Sequence, residues 1–219
     1  MSAPWRPFLV LVTDRRRVAP DARTARDESN ALTEFLLTAV AAAVPLIQIR
    51  EPGLPTAWLC DVASRVREAA SGTATRVVIN DRADVAWAAG ADGLHLKATG
   101  PAVARMRQAC PASWLIGRSA HDSTELGQTT GADYVVFGTV FETASKPGVH
   151  PNGLAALSAA AATSSAPVVA IGGVTPERMA LCAAAGAAGV AGISFLLPPA
   201  SGPSMAEVVQ QARYVFLVD

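Results

Sequence analysis

Polar and charged residues in this chain gather at the C-terminal ends of short apolar runs, and their types suit capture of a small anion. Read in order, these positions are Asp14; Gln48, Arg50 and Glu51; Asn80 and Asp81; His95 and Lys97; Ser119 and His121; Thr139, Thr143, Ser145 and Lys146; Gly172 and Gly173; and Ser194. Guanidinium and ammonium groups neutralise anionic oxygens, while amides and hydroxyls orient them. The Gly172-Gly173 pair leaves backbone N–H groups bare for a phosphate to approach. Each feature also has a plain reading alone. Asn80-Asp81 caps a helix, Arg50-Glu51 is a rim ion pair, His121 begins a helix, and two glycines make a tight turn. As one ring they read better as a site for a small anionic ligand.

Such a ring needs a scaffold that brings every strand end to one face. Residues 166–197 show the unit: a wholly apolar strand at 168–171, the glycine turn, a helix opened by Thr175-Pro176-Glu177 and ended at Gly186, then a strand at 189–194. Thr175 is placed to cap that helix, Pro176 suits its first turn, and Glu177 complements the dipole. Further strands are expected at 8–13, 45–50, 76–79, 93–96, 114–117 and 134–138. Helices are expected at 30–43, 55–70, 83–89, 101–109, 121–130, 154–163 and 204–215, with an Arg-rich loop at 15–27. Eight apolar strands alternating with eight helices predict a (β/α)8 TIM barrel in a single domain over residues 1–219. An open doubly wound sheet is the alternative, but no Gly-x-Gly-x-x-Gly follows the first strand. Barrel chemistry sits at the C-terminal strand ends, where the ring lies.

Composition narrows the class. Apolar residues make up 51% and charged residues 16%, which excludes a disordered chain. Lys+Arg and Asp+Glu balance at 18 each, with no basic run beyond Arg15-Arg16-Arg17, so no nucleic-acid partner is expected. The three cysteines, Cys60, Cys110 and Cys182, lack metal-ligand spacing and read as buried free thiols. Neither a signal peptide nor a membrane span is expected, so the reading is a soluble cytoplasmic protein.

The linked motifs are recognisable. Gln48-Ile49-Arg50-Glu51, Val78-Ile79-Asn80-Asp81-Arg82-Ala83-Asp84-Val85, Gly90-Ala91-Asp92-Gly93-Leu94-His95-Leu96, Gly131-Ala132-Asp133-Tyr134-Val135-Val136-Phe137-Gly138 and Val169-Ala170-Ile171-Gly172-Gly173-Val174 resemble the thiamine phosphate synthase and TenI-like superfamily. The likeness runs from Leu9 to Leu196. For a synthase it implies that hydroxymethylpyrimidine diphosphate loses pyrophosphate and couples to a thiazole phosphate. Gln48, Arg50 and Asn80 would then meet the pyrimidine and diphosphate, and Asp81 a Mg2+. Ser119, Thr143, Ser145 and Lys146 would line the diphosphate and thiazole side. Gly172, Gly173, Ile193 and Ser194 would hold the thiazole phosphate.

Three departures rank the superfamily's members. Pro52 stands where the synthase pattern has a lysine. Gly100 stands where the synthase has a second metal-binding aspartate, which weakens any Mg2+ site; Lys97 nearby is a candidate fixed cation. The stretch Lys146-Pro147-Gly148-Val149-His150-Pro151-Asn152-Gly153-Leu154 resembles the loop of TenI-like thiazole tautomerases. The expectation is therefore an enzyme, first a thiazole tautomerase needing no cofactor, with His121 carrying the proton and Lys146 as the second catalytic candidate. The alternatives are a Mg2+-using synthase and a catalytically silent binder. The two enzymes take a phosphorylated thiazole as small-molecule partner and the silent binder a thiazole or thiamine phosphate, in a chain that could assemble as a homo-oligomer.

Overall fold

The computed structural model describes residues 7–143, 148, 150–197 and 202–217. Among them β1 (Leu9–Val12), β2 (Leu46–Ile49), β3 (Arg76–Asn80), β4 (Gly93–Leu96), β5 (Leu115–Ala120), β6 (Tyr134–Gly138), β7 (Val168–Ile171) and β8 (Gly189–Gly192) form one closed parallel barrel in sequence order. Val10 aligns with both Leu46 and Ala191, so β1 joins β2 on one side and β8 on the other. This is the expected (β/α)8 fold. The strands are short and apolar on both sides because each is sandwiched between lumen and helices.

Side-chain parity separates two apolar layers. Outward residues such as Leu9, Leu11, Ile47, Ile49, Ile79, Leu94 and Val190 pack under the helices. Inward residues Val10, Leu46, Val78, Tyr134, Val136, Val169 and Ala191 fill the lumen. The helices are α1 (Arg15–Val18), α2 (Ala25–Ala41), α3 (Thr56–Ala69), α4 (Ala83–Ala88), α5 (Val103–Ala109), α6 (Ser123–Gly127), α7 (Gly153–Thr163), α8 (Met179–Ala184) and α9 (Met205–Leu217). In α2 the Thr24 hydroxyl accepts from Asp27 N, and Leu32, Phe35, Leu36, Ala39 and Val40 form the buried face. Burying each large side chain of that face stabilises the fold by about 1.5–3 kcal/mol relative to exposure. No helix among the described residues is long and apolar enough to cross a membrane.

The repeated Gly-Ala-Asp segments work at the opposite end from the ring. Asp92 accepts from Val77 N at 2.8 Å, and Asp133 accepts from Ile116 N at 2.6 Å. Arg67 and Arg76 pair with Asp92, and Arg107 with Asp133. These carboxylates satisfy strand-start N–H groups that the parallel ladder leaves open.

Several boundaries differ from expectation. Arg15–Val18 is helical rather than loop because Asp14 caps it through Arg16 N. α2 starts at Ala25, at its Thr24 cap. β5 runs on through Arg118-Ser119-Ala120, and α6 is only 5 residues. Arg118 can stay in the strand because its buried guanidinium donates to the carbonyls of Ala98 and Pro101 at 2.7 and 2.5 Å. A 3-10 turn over Pro176–Arg178 precedes α8, and the Thr175 side chain does not cap it. β8 stops at Gly192, before Ser194. Of the three free thiols only Cys182 is buried; Cys60 and Cys110 are partly exposed.

Candidate active site

The upper lumen is polar along β2–β5 and apolar along β6–β1. On the polar half, Gln48 at the end of β2 donates from Nε2 to Asn80 Oδ1 at 2.9 Å, and Asn80 Nδ2 donates to Asp81 Oδ2 at 3.1 Å. Gln48 is 3% exposed, and its Oε1 is buried without a partner. A buried acceptor left unsatisfied costs about 1–3 kcal/mol, which a ligand N–H would recover. Opposite, Val12, Val136, Val169, Ile171 and Ala191 offer only carbon.

His95 occupies the centre of the polar half. It is 1% exposed, with Nε2 2.9 Å from Ser119 Oγ and Nδ1 3.1 Å from Tyr134 Oη. Tyr134 reaches it by lying across β5 at Gly117, where an added Cβ would stand 2.1 Å from the phenol ring. Burial drives the imidazole pKa down to about 3, with the Arg50 charge adding to the effect. The neutral ring therefore accepts through one nitrogen and donates through the other, linking a buried phenol to a rim hydroxyl. Burial likewise pushes the Tyr134 hydroxyl far above its ordinary pKa.

Arg50 is exposed at the rim, and a buried chain fixes its backbone. Arg50 N donates to Thr13 Oγ1 at 2.8 Å, and the Thr13 hydroxyl bonds the Glu51 carboxylate. Glu51 accepts from Arg15 N at 3.1 Å and from Arg15 Nη1 at 3.2 Å. Arg15 also holds Glu28 at 2.6 Å. Glu51 thus pairs with Arg15, not with Arg50. Burial raises its pKa, against the lowering effect of Thr13 and Arg15.

The glycine turn differs from an open anion cradle. A Cβ at Gly172 would lie 2.5 Å from Thr139 Cγ2, and one at Gly173 would lie 2.2 Å from Glu142 O. Both residues have positive φ, 96° and 63°. Their first requirement is close packing against the segment after β6, which Arg178 reinforces by bonding Gly173 O at 2.6 Å. Ser194 is exposed and accepts from Arg17 Nη1 at 2.6 Å. Ile193 is half-buried against the core, and Thr143 is half-buried. Ser145 and Lys146 lie outside the described residues.

His121 stands just beyond β5 with its side chain 47% exposed. Its Nδ1 is 2.8 Å from Glu125 Oε2, and its carbonyl accepts from Asn152 Nδ2. The buried histidine cluster is built on His95 instead.

The structure thus joins Gln48, Asn80 and Asp81 in one bonded row and couples Ser119 to His95. Ser194 gains a cation, Arg17, which the sequence reading placed in a loop. Tyr134 was missed as well, although its inward parity in β6 and the glycine at 117 in the neighbouring strand could have marked it. A cavity of about 610 Å3 opens at the other end of the barrel between Trp87, Trp114, Arg67 and Arg76. Its guanidinium groups are engaged by Asp92, in the strand-start framework.

Asp81 is the one metal ligand expected from sequence. Its Oδ1 accepts from Lys97 N at 3.0 Å, and its Oδ2 takes Asn80 Nδ2 and faces Lys97 Nζ at 3.7 Å. No cluster of three His, Cys, Asp or Glu side chains among the described residues could hold a metal ion. A site with one carboxylate, already bonded at both oxygens and beside an ammonium, fits Mg2+ poorly.

Comparison with known proteins gives a consistent neighbourhood. The model of a family described as thiamine monophosphate synthase matches residues 9–196. A protein named thiamine-phosphate synthase from Methanoculleus marisnigri is 41% identical over 168 residues, covering 75% of this chain and 80% of that one. Another of that name from Moorella thermoacetica is 35% identical over 187 residues, covering 82% and 89%. The solved structure of a thiamine phosphate pyrophosphorylase from Pyrococcus furiosus superposes with a TM-score of 0.77 at 24% identity, covering 96% of this chain and 95% of that one. That last likeness establishes the fold.

Proposed function

The chain belongs to the thiamine monophosphate synthase family, and from that premise we propose that it couples hydroxymethylpyrimidine diphosphate to a thiazole phosphate, as a transferase. This reverses the order reached from sequence, where the tautomerase stood first. The relatives that cover most of this chain are named for the synthase. His121, the proton carrier expected for a tautomerase, is half exposed and tied to Glu125.

The observation that carries the proposal is the divided lumen, with the orphaned Gln48 Oε1 beside Asn80 facing an apolar wall of Val136, Val169 and Ile171. A flat heteroaromatic ring, polar at its edge and apolar on its faces, matches the chemistry of two such walls. An amino group on the pyrimidine would donate to Gln48 Oε1, and its ring would lie against carbon. Arg50, held in place from Thr13, would meet the diphosphate. Ser194 with Arg17, together with Gly173 and Ile193, would take the thiazole phosphate.

In the reaction the bond between the pyrimidine methylene carbon and the diphosphate oxygen breaks, and its electron pair leaves with pyrophosphate. The thiazole nitrogen lone pair then closes on that carbon. Cations at the leaving oxygens act on charge that grows as the bond breaks, so they favour the transition state over the bound substrate. Ser119, oriented by neutral His95, offers a hydroxyl to the same space. No proton-transfer step is needed from an imidazolium, and His95 cannot supply one at neutral pH.

The test is a direct assay of thiamine phosphate by chromatography, with released pyrophosphate measured in parallel. Equal formation of both products supports the synthase, and Arg50→Ala should reduce turnover by at least tenfold. No coupling, together with aromatisation of the thiazole carboxylate phosphate, would restore the tautomerase.

A further inference from the structure

At Asp81 a cation is already in place. Asp81 sits at the end of β3 with φ 57° and its N–H on His95 O at 2.9 Å, so its carboxylate is held over the end of β4. Lys97 follows β4 and meets that carboxylate twice, through its N–H at 3.0 Å and its ammonium at 3.7 Å. Residues 97–100 form a turn closed by Gly100 N on Lys97 O at 2.9 Å. A Cβ at Gly100 would lie 3.0 Å from Lys97 O and 3.6 Å from Lys97 Cγ, so Gly100 packs close beneath the start of the lysine side chain.

The turn is anchored from below. Arg118, 2% exposed, bonds the carbonyls of Ala98 and Pro101, and Gly100 O lies 3.4 Å from the same guanidinium. The Lys97 side chain is 62% exposed, and an ammonium has three donors, so Asp81 leaves capacity for a ligand oxygen. Arg50 is the second rim cation on this side, close enough for its charge to be felt at His95.

We propose that the Lys97 ammonium, held by Asp81 over Gly100, is a fixed counter-cation for the diphosphate and takes the place of a divalent ion there. The inference rests on the synthase reading for its ligand. The pair Asp81–Lys97 is neutral, whereas a metal site built from two carboxylates is doubly negative. A divalent cation entering here meets an ammonium beside its single carboxylate, while a diphosphate meets a donor already aimed and held. When the carbon–oxygen bond breaks, the developing negative oxygens take hydrogen bonds from Lys97 without waiting for an ion to bind.

The test measures binding on the full-length protein, apart from turnover. Calorimetry with inorganic pyrophosphate in the presence of EDTA should show binding by the wild type, and Lys97→Met should weaken it by about 10–100-fold, the effect of losing one charge-assisted hydrogen bond. Electron paramagnetic resonance with Mn2+ should show weak or no binding by the wild type, and Lys97→Gln with Gly100→Asp should gain at least tenfold in Mn2+ affinity. Tight Mn2+ binding by the wild type, or pyrophosphate affinity unchanged in Lys97→Met, would overturn the proposal. Pyrophosphate binding that appears only with Mg2+ would overturn it too. Metal-free binding without any coupling activity would sink the synthase reading alone and leave the cation site standing.

Discussion

His95 links the lumen to stability in a way that pH can expose. Its imidazole is buried, bonded to Ser119 and Tyr134, and holds a pKa of about 3 in the folded protein. In the unfolded chain the same group has a pKa of about 6.5. Above that value both states carry a neutral ring, and His95 adds no pH dependence. Between about 6.5 and 3 the unfolded state takes up a proton that the folded state refuses, so stability falls as pH falls. From about pH 7.5 to pH 5 the loss is about 2 kcal/mol, roughly 1.4 kcal/mol for each pH unit below the unfolded pKa. For a chain of this size that corresponds to about 4–8 °C in melting temperature. The assay is urea or thermal unfolding of wild type and His95→Gln at both pH values. His95→Gln should be less stable at neutral pH, having lost a packed ring, yet its stability should depend less on pH by that amount. His121 and His150 are common to both proteins and cancel. Identical pH slopes would refute the reasoning, because they would mean that the folded protein protonates His95 as readily as water does.

Other perturbations follow from the same geometry. Gly117→Ala places a methyl group against the Tyr134 ring and should destabilise by about 1–3 kcal/mol in urea unfolding; unchanged stability would mean that the ring is free to move aside. Arg15→Met leaves Glu51 buried without its cation, a loss of about 3–5 kcal/mol. Burial has already raised the Glu51 pKa. The folded variant therefore binds a proton more readily than the unfolded chain, and the defect should shrink as pH falls into the carboxyl range; a pH-independent defect would speak against a buried charge. Gly173→Ala combines a positive φ with a 2.2 Å approach to Glu142 O and should lower the melting temperature even without ligand. Ser194→Ala, at an exposed position, should leave the melting temperature unchanged and weaken a thiazole phosphate by about tenfold, the worth of one charge-assisted bond. Equal affinity by calorimetry would remove Ser194 from the phosphate site.

The sequence alone determined the barrel and the face on which its polar residues gather. Runs such as Val168–Ile171 and Tyr134–Gly138 are apolar on both sides, and a strand buried on both sides belongs to a parallel sheet under helices. Chain order then carries every strand end to one rim, so Gln48, Asn80, His95 and Ser119 were legible as a set. That signal is local, a matter of period and of what ends each run. What the set does was decided by approach between segments far apart in the chain. Gly172 and Gly173 looked like an open cradle because sequence cannot show the loop after β6 lying against them. Arg15 read as solvated loop, yet Glu28 and Glu51, 13 and 36 positions away, supply the charge that lets it be buried. His95 looked like a rim residue until Tyr134 crossed the empty face of Gly117 to reach it, 39 positions along the chain. Lys97 could be any surface lysine by its type, but Asp81, positioned by its bond to β4, gives its ammonium a place. Residue types set which charges and donors exist; only closure of the barrel decides which of them face one another out of water, where pairing is strong enough to fix a function.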